Sequence, residues 1–409
     1  MASIPLRRNR EFQLLWTGQA ISQLGSQISF VAYPLLVLAI TGSPAKAGLV
    51  AFAKNAPIAL LALPAGLLAD RVNRRWLMVA SDGVRALAVA SIPIAAAAGR
   101  VPFGLIAIVA AIDGTGFVLG SVAERGAIRQ LVAPEQLGEA VARNESRMFG
   151  AMLAGPPLGG LLFEVGRAVP FLTDAASYAV STISKLLIRT EFQEARAGVA
   201  VGDAREGLRW LWQQPFIRTC MLLFAGSNPI FTGLYLLIVV LARHHGASSA
   251  LVGVMLAFAA GGGLLGALLA PSLQRRLTVR TVLVGESWVL ALAIPLLLIA
   301  HDPLLIGAIM AAAELITPVT NSFVVSFRVG LAPDRLQGRV QAASTLISFS
   351  GGWLGPLVVG FLLQNAGESA TVLGLTGWAL VLALVATSSR AFRHPPRLDA
   401  SIEPSLASG

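Results

Sequence analysis

Two acids stand where an acid is costly. Asp113 falls mid-way along one long apolar run and Glu314 mid-way along another. At the centre of a membrane helix an ionised side chain costs on the order of 2.5–3.5 kcal/mol, so each should face a cavity or a partner. A carboxylic acid taken out of water keeps its proton more readily, which lets protonation trade against binding of a cation. Both are therefore candidate sites for protons, for a cationic substrate, or for both. The plainer alternative is a buried acid satisfied by neighbouring hydroxyls. Gln19, Gln23 and Gln27 recur at a spacing of four, which puts them on one helix face. Asn228 and Asn321 sit in similar apolar surroundings. These amides either hydrogen-bond a substrate or join helices. Arg85 and Glu286, placed near the cytoplasmic ends of their runs, read as structural ion-pair or snorkelling groups. Lys54 reads as a snorkelling side chain and Asp174 as a cap or interfacial group.

Other chemistries lack their residues. None of the lysines, Lys46, Lys54 and Lys185, follows a glycine, so there is no phosphate-binding loop and no ATP hydrolysis by that route. His244, His245, His301 and His394 lack metal-ligand spacing, and no nucleophile elbow occurs. One cysteine, Cys220, excludes an intrachain disulfide. No metal, no cofactor and no enzymatic activity are expected.

The elements that hold these residues follow from composition. Of 409 residues 55% are hydrophobic and 13% charged, with a mean hydropathy of +0.73. A soluble domain carries roughly 25% charged residues, so only lipid accepts this surface. The net charge of +10 does not point to nucleic acid. Threaded from an intracellular N-terminus, every Lys and Arg except Lys46, Lys54, Arg100, Arg167 and Arg243 lies in or beside a cytoplasmic loop. That is the positive-inside pattern of a multi-pass protein in a bacterial inner membrane, its basic groups paired with anionic headgroups. After Arg7, Arg8 and Arg10 the run 12–40 is too long for a cleaved signal and reads as a first, retained helix.

Apolar windows predict an all-α membrane protein with helices near 12–40, 47–69, 76–98, 102–121, 145–164 and 169–189. A second set follows near 216–241, 250–273, 281–300, 304–327, 342–364 and 370–391. The domains are then a six-helix bundle over 1–189, a cytoplasmic linker over 190–214, a second bundle over 215–392 and a disordered tail over 393–409. A short amphipathic helix is expected around Glu206–Trp212, and both termini are cytoplasmic. The bundles repeat with pseudo-symmetry. Ala133-Pro134-Glu135-Gln136-Leu137 matches Ala332-Pro333-Asp334-Arg335-Leu336; Gly155-Pro156 with Gly160 matches Gly355-Pro356 with Gly360; Gly66 matches Gly266. Each pair lies about 200 residues apart, as do Asp113 and Glu314. A duplicated bundle places a binding site at the interface of its halves, near the bilayer midplane.

Three motifs carry a family resemblance. Gly66-Leu67-Leu68-Ala69-Asp70-Arg71-Val72-Asn73-Arg74-Arg75 lies in a short turn between two predicted helices. Its arginines fix topology, and Asp70 can pair with them or cap a helix. Gly155-Pro156-Pro157-Leu158-Gly159-Gly160 and Gly351-Gly352-Trp353-Leu354-Gly355-Pro356 combine glycines for close approach with prolines that kink. Leu15-Trp16-Thr17-Gly18-Gln19 and Asp174-Ala175-Ala176-Ser177-Tyr178 extend the pattern. The first motif resembles the gating loop of the major facilitator superfamily, with Asn73 where the family's glycine stands; Asn tolerates the left-handed backbone that such a turn would use. The second resembles the end of that superfamily's antiporter motif, and its other reading is ordinary packing. The whole chain resembles the superfamily's drug and siderophore exporters.

That resemblance implies twelve transmembrane helices in two six-helix bundles, with Asp113 and Glu314 facing a central cavity. It also implies export of an amphipathic small molecule by alternating access, with protons as coupling ion and the protein acting as a monomer. The alternatives are a gradient-independent facilitator or importer of a metabolite, or a non-transporting membrane sensor.

Overall fold

Caps, prolines and glycines decide where the apolar runs become helices. The computed structural model describes residues 5–190, 192 and 202–396, apart from the side chains of residues 62, 63, 70, 202–205 and 349. The predicted tail beyond residue 396 and part of the linker lie outside the described residues. Helix α1 (Arg10–Thr41) starts where the Asn9 side chain accepts the Phe12 N–H, and stops at Gly42, whose φ of 63° is left-handed. The predicted helix over 47–69 is instead two, α2 (Pro44–Leu60) and α3 (Ala62–Arg71). Pro64 has no N–H to offer the Leu60 carbonyl, and its ring crowds that turn, so the chain breaks between them.

Helix α4 (Arg74–Ala97) begins at Asn73, whose φ of −60° is not left-handed and whose side chain caps the Arg75 N–H at 2.9 Å. Asparagine therefore serves there as a helix cap, which corrects the expectation of a left-handed turn. Helices α5 (Phe103–Leu131), α6 (Leu137–Val165) and α7 (Val169–Leu186) complete the first set. The second set holds α8 (Gly202–Gln213), α9 (Pro215–His244), α10 (Ser249–Arg276), α11 (Val279–Leu296) and α12 (Pro303–Leu331). It ends with α13 (Gln337–Phe349), α14 (Gly355–Ser388) and α15 (Arg390–Arg393).

The predicted helix over 342–364 is also interrupted, by a 3-10 turn at Gly352–Leu354. Pro356 leaves the Gly352 carbonyl without its helical donor, and the Thr232 hydroxyl supplies one at 2.5 Å. One turn away on α9, the Asn228 amide donates to the Ser348 carbonyl at 2.7 Å. Helix α14 is itself two helices joined at Gly367, where φ is 82°. Among the described residues nine helices are long and apolar enough to cross a membrane. Helices α5 and α12 have 29 residues each, and each runs into a 3-10 turn, Pro134–Gln136 or Asp334–Leu336. The duplication seen in the sequence recurs at this pair of elements.

The chain forms two compact units. One comprises Met1–Gly198, Leu236–Ala257 and Pro356–Gln364; the other comprises Val199–Tyr235, Phe258–Gly355 and Asn365–Gly409. In the first, Phe12, Leu15, Met78 and Ala127 form an apolar core between α1, α4 and α5. In the second, α8 buries Leu211 among Phe216, Phe327 and Phe392. The solvent side of α8 is tied down as well: Glu206 accepts Arg335 at 2.9 Å and also Arg339.

Small residues set helix spacing in both units. In the second unit a Cβ at Gly262 or Gly266 would strike the carbonyl oxygens of Ala311 and Leu315 on α12, whereas Gly263 faces open space. Gly262→Val and Gly266→Val are accordingly expected to lower stability by about 1–3 kcal/mol each. Gly263→Ala should be neutral or gain up to about 1 kcal/mol from helix propensity. Thermal unfolding of the purified protein in detergent measures all three.

Candidate functional site

Asp113 is fully buried on α5 and is met by groups from three other helices. Lys54 Nζ of α2 approaches at 2.6 Å, Arg85 Nε of α4 at 2.8 Å, and the Tyr178 hydroxyl of α7 donates at 2.9 Å. The flanking sequence explains how such bulky partners fit. A Cβ at Gly114 would strike the Lys54 carbonyl, and one at Gly116 would strike the Arg85 stem. Glycines beside the acid therefore let α2 and α4 close on it. Arg85 also donates to the Ser26 hydroxyl at 3.2 Å and lies 4.0 Å from the centre of the Tyr178 ring. Beyond it, Arg85 stands 3.9 Å from Asp82, and Asp82 accepts the buried Lys185 ammonium at 2.5 Å. Five charges thus run in a row: Lys185, Asp82, Arg85, Asp113, Lys54.

Three expectations change here. Lys54 does not snorkel; it turns inward to Asp113 and rests 4.5 Å from the centre of the Tyr33 ring. Arg85 sits at the middle of α4 rather than near its end, in an ion pair with Asp113. Asp174 is no interfacial cap, for it is 0% exposed inside α7. The reason is common to all three. A charge inside a lipid-facing bundle is stabilised by turning towards an opposite charge or a hydroxyl, and each finds one within reach.

A cavity of about 560 Å³ adjoins this row, lined by α1, α4, α5 and α6 of the first unit. That volume suits a small organic ligand. Gln19, Gln23 and Gln27 all line it, together with Phe117, Met148 and Met152. Inside it Glu124 accepts Arg147 at 2.9 Å and the Gln19 amide at 2.6 Å, and Arg147 Nε donates to Gln23 at 3.1 Å. The wall offers both signs of charge, amides and flexible apolar side chains, which fits amphipathic molecules of varied shape.

In the second unit Glu314 of α12 accepts the Tyr235 hydroxyl at 3.2 Å. Glu286 lines a narrow cleft with Phe224, Ser227 and Leu382. Asn321 lies exposed on α12, while Asn228 serves the break before α14.

The gating-loop residues are spread over α3 and α4. Gly66 meets nothing close, Arg71 is exposed in the last turn of α3, and the side chain of Asp70 lies outside the described residues. Arg74 is buried beside Gly126, and Arg75 donates to the Leu186 carbonyl at 2.5 Å. The glycine-proline motifs mark close approaches. Gly155 lies against Gln27, Gly159 against Ile28 and Gly160 against Ser249. The Pro156 carbonyl abuts Gly253, Gly355 abuts Pro229, and Pro356 abuts Gly48.

Sequence reasoning passed over Glu124, Arg147, Asp82 and Lys185. Glu124 falls beyond the predicted window 102–121 and Arg147 at the start of the window 145–164, where charge blurs the apolar pattern although α5 and α6 continue through both. The pair Asp82 and Arg85, three apart within one apolar run, was the available signal for a buried cluster.

A family model described as "Transmembrane secretion effector" matches residues 2–407. The chain is 28% identical over 387 residues to the multidrug efflux pump Tap of Mycolicibacterium fortuitum, covering 88% of this chain and 91% of that one. It is 24% identical over 180 residues to macrolide efflux protein A of Streptococcus pyogenes, 44% of each chain. Its fold is similar to that of a bacterial homologue of the iron transporter ferroportin in an inward-facing state, with a TM-score of 0.74 and 18% identity, covering 94% and 98% of the two chains.

Losing one member of a buried pair strands the other, at a cost of about 3–5 kcal/mol. Asp82→Asn and Lys185→Met should each reduce stability by that much, and the double variant should recover most of the loss. Unfolding of the three variants in detergent measures the coupling.

Proposed function

Because the chain belongs to the transmembrane secretion effector family, within the drug-exporting branch of the major facilitator superfamily, we propose that it exports amphipathic small molecules by alternating access, in exchange for protons. It is a multi-pass membrane transporter and not an enzyme. The cavity of the first unit supports this reading most directly. It holds an ion pair, a stripe of glutamines and two methionines within one space of about 560 Å³. Such a wall can hydrogen-bond a polar group and take up an apolar one at once. Names of relatives add that efflux of several drugs, macrolides among them, occurs within the family.

The proton half of the reading rests on an acid in each unit, Asp113 on α5 with the charge network around it and Glu314 on α12, at roughly equivalent places in the repeat. Gln19, Gln23 and Gln27 take part in substrate binding; Asn228 and Asn321 are the corresponding polar groups of the second half. The loop from Gly66 through Asp70, Arg71, Arg74 and Arg75 acts as a gate. The glycines and prolines at 155–160 and 355–356 pack helices closely, in the manner of the antiporter motif. Twelve spans in two halves, 1–189 and 215–392, are joined by a cytoplasmic linker, with both termini in the cytoplasm of a bacterial cell. The protein works as a monomer in its inner membrane.

Transport into inverted membrane vesicles with an imposed inward-acid pH gradient tests the reading, with radiolabelled erythromycin as probe. Wild type should accumulate the macrolide, and a protonophore should abolish accumulation. The double variant Asp113→Asn, Glu314→Gln should fall to the level of vesicles without the protein. Entry that stops at the outside concentration whatever the gradient would instead mark a facilitator, and full activity of the double variant would remove these acids from the coupling.

A further inference from the structure

The first unit contains an acid that its charge network leaves over. Among the described residues, Lys185, Arg85 and Lys54 pair with two of the three buried aspartates, Asp82 and Asp113. The third, Asp174, is fully buried on α7. Its Oδ1 receives a long hydrogen bond from Ser177 at 3.4 Å, and its Oδ2 has no hydrogen-bond partner among the described residues. The charged groups acting on it are Lys54 of α2, Arg85 of α4 and Asp113 of α5. Hydroxyls face it from Ser29 of α1 and from Ser177 on its own helix. A carboxylate shut away with one oxygen unanswered is far costlier than a neutral acid, and such a group resolves the cost by taking up a proton.

We propose that Asp174 is the proton-exchanging acid of the first unit, and that Lys54 is the cation it shares with Asp113. With a proton on Asp174, Lys54 stays on Asp113. When that proton leaves, Asp174 becomes a carboxylate and Lys54 turns towards it, while Asp113 keeps Arg85. One proton is bound and one released per cycle, with all six charges balanced in the deprotonated state. Lys54 suits the moving part, for its side chain is 19% exposed whereas that of Arg85 is 6% exposed and held by Ser26 and Tyr178 as well. The charge network reaches the cavity. Tyr178, one turn from Asp174 on α7, shares a hydrogen bond of 2.8 Å with Ser26, and Ser26 lines the cavity. Substrate in the cavity thus meets, through Ser26, Tyr178 and Arg85, the same charge network that acts on Asp174. Asp113 then acts as a positioning residue, always paired.

This assignment rests on the reading of proton-coupled export, and two measurements separate the one from the other. The first needs no substrate. Infrared titration of the full-length protein in lipid nanodiscs should show an un-ionised carboxyl band that disappears as pH rises and is missing from Asp174→Asn. Spectra of wild type and variant that coincide at every pH would overturn the assignment. The second uses inverted vesicles and erythromycin. Asp174→Asn should lose gradient-driven accumulation yet keep exchange of labelled for unlabelled macrolide across the membrane, which also shows that the variant folds. Asp174→Glu should recover gradient-driven accumulation. A wild type indifferent to the gradient would refute proton coupling itself and this role with it. A wild type driven by the gradient, with Asp174→Asn driven equally, would refute the role of Asp174 alone.

Discussion

A charge placed among membrane helices must find its answer within the bundle, and the first unit is arranged around that demand. Asp113, Arg85 and Lys54 come from three helices, so their meeting requires those helices to approach closely. Gly114 and Gly116 permit it, since any larger residue would drive α2 or the Arg85 side chain away. The ion row then holds α2, α4, α5 and α7 in one arrangement. Removing a single charge is more disruptive than replacing a pair, because the remaining partner is left without water or counter-charge.

The two units differ in how they treat their acids. Helices α5 and α12 match in length and in the 3-10 turn that follows. Yet Asp113 is clamped between two cations, whereas Glu314 is met by the Tyr235 hydroxyl. A carboxylate clamped by two cations fixes the helices that bring them together. The break before α14 shows the same economy in the second unit. Asn228 and Thr232 satisfy carbonyls at the interruption, so a bend persists in a helix where lipid would not tolerate bare backbone.

Long apolar runs were plain in the sequence, and α1 differs from its window by a residue or two at each end. Helix ends were less legible where a run met charge. Helix α5 continues to Leu131, ten residues beyond its window, since backbone hydrogen bonding does not stop where hydropathy falls. That is why Glu124, inside the cavity, was passed over. The break at Leu61 had its signal in Pro64, masked by an otherwise unbroken apolar run. Asn73 carried two meanings, a left-handed turn or a cap, and only the backbone angle separates them. Glutamines 19, 23 and 27 were readable as a face because helical periodicity is local. The pairing of Lys54 with Asp113 was not, because residues 59 apart share no local pattern.

In proton-coupled export a ligand in the first unit's cavity and a proton in the adjoining charge network exclude one another. Erythromycin added to the purified protein in a weakly buffered solution, with the pH followed directly, tests that claim most simply. The account requires protons to be released in proportion to the macrolide bound, and release to vanish in a variant lacking the exchanging acid. Binding of the macrolide with no change in pH would contradict it.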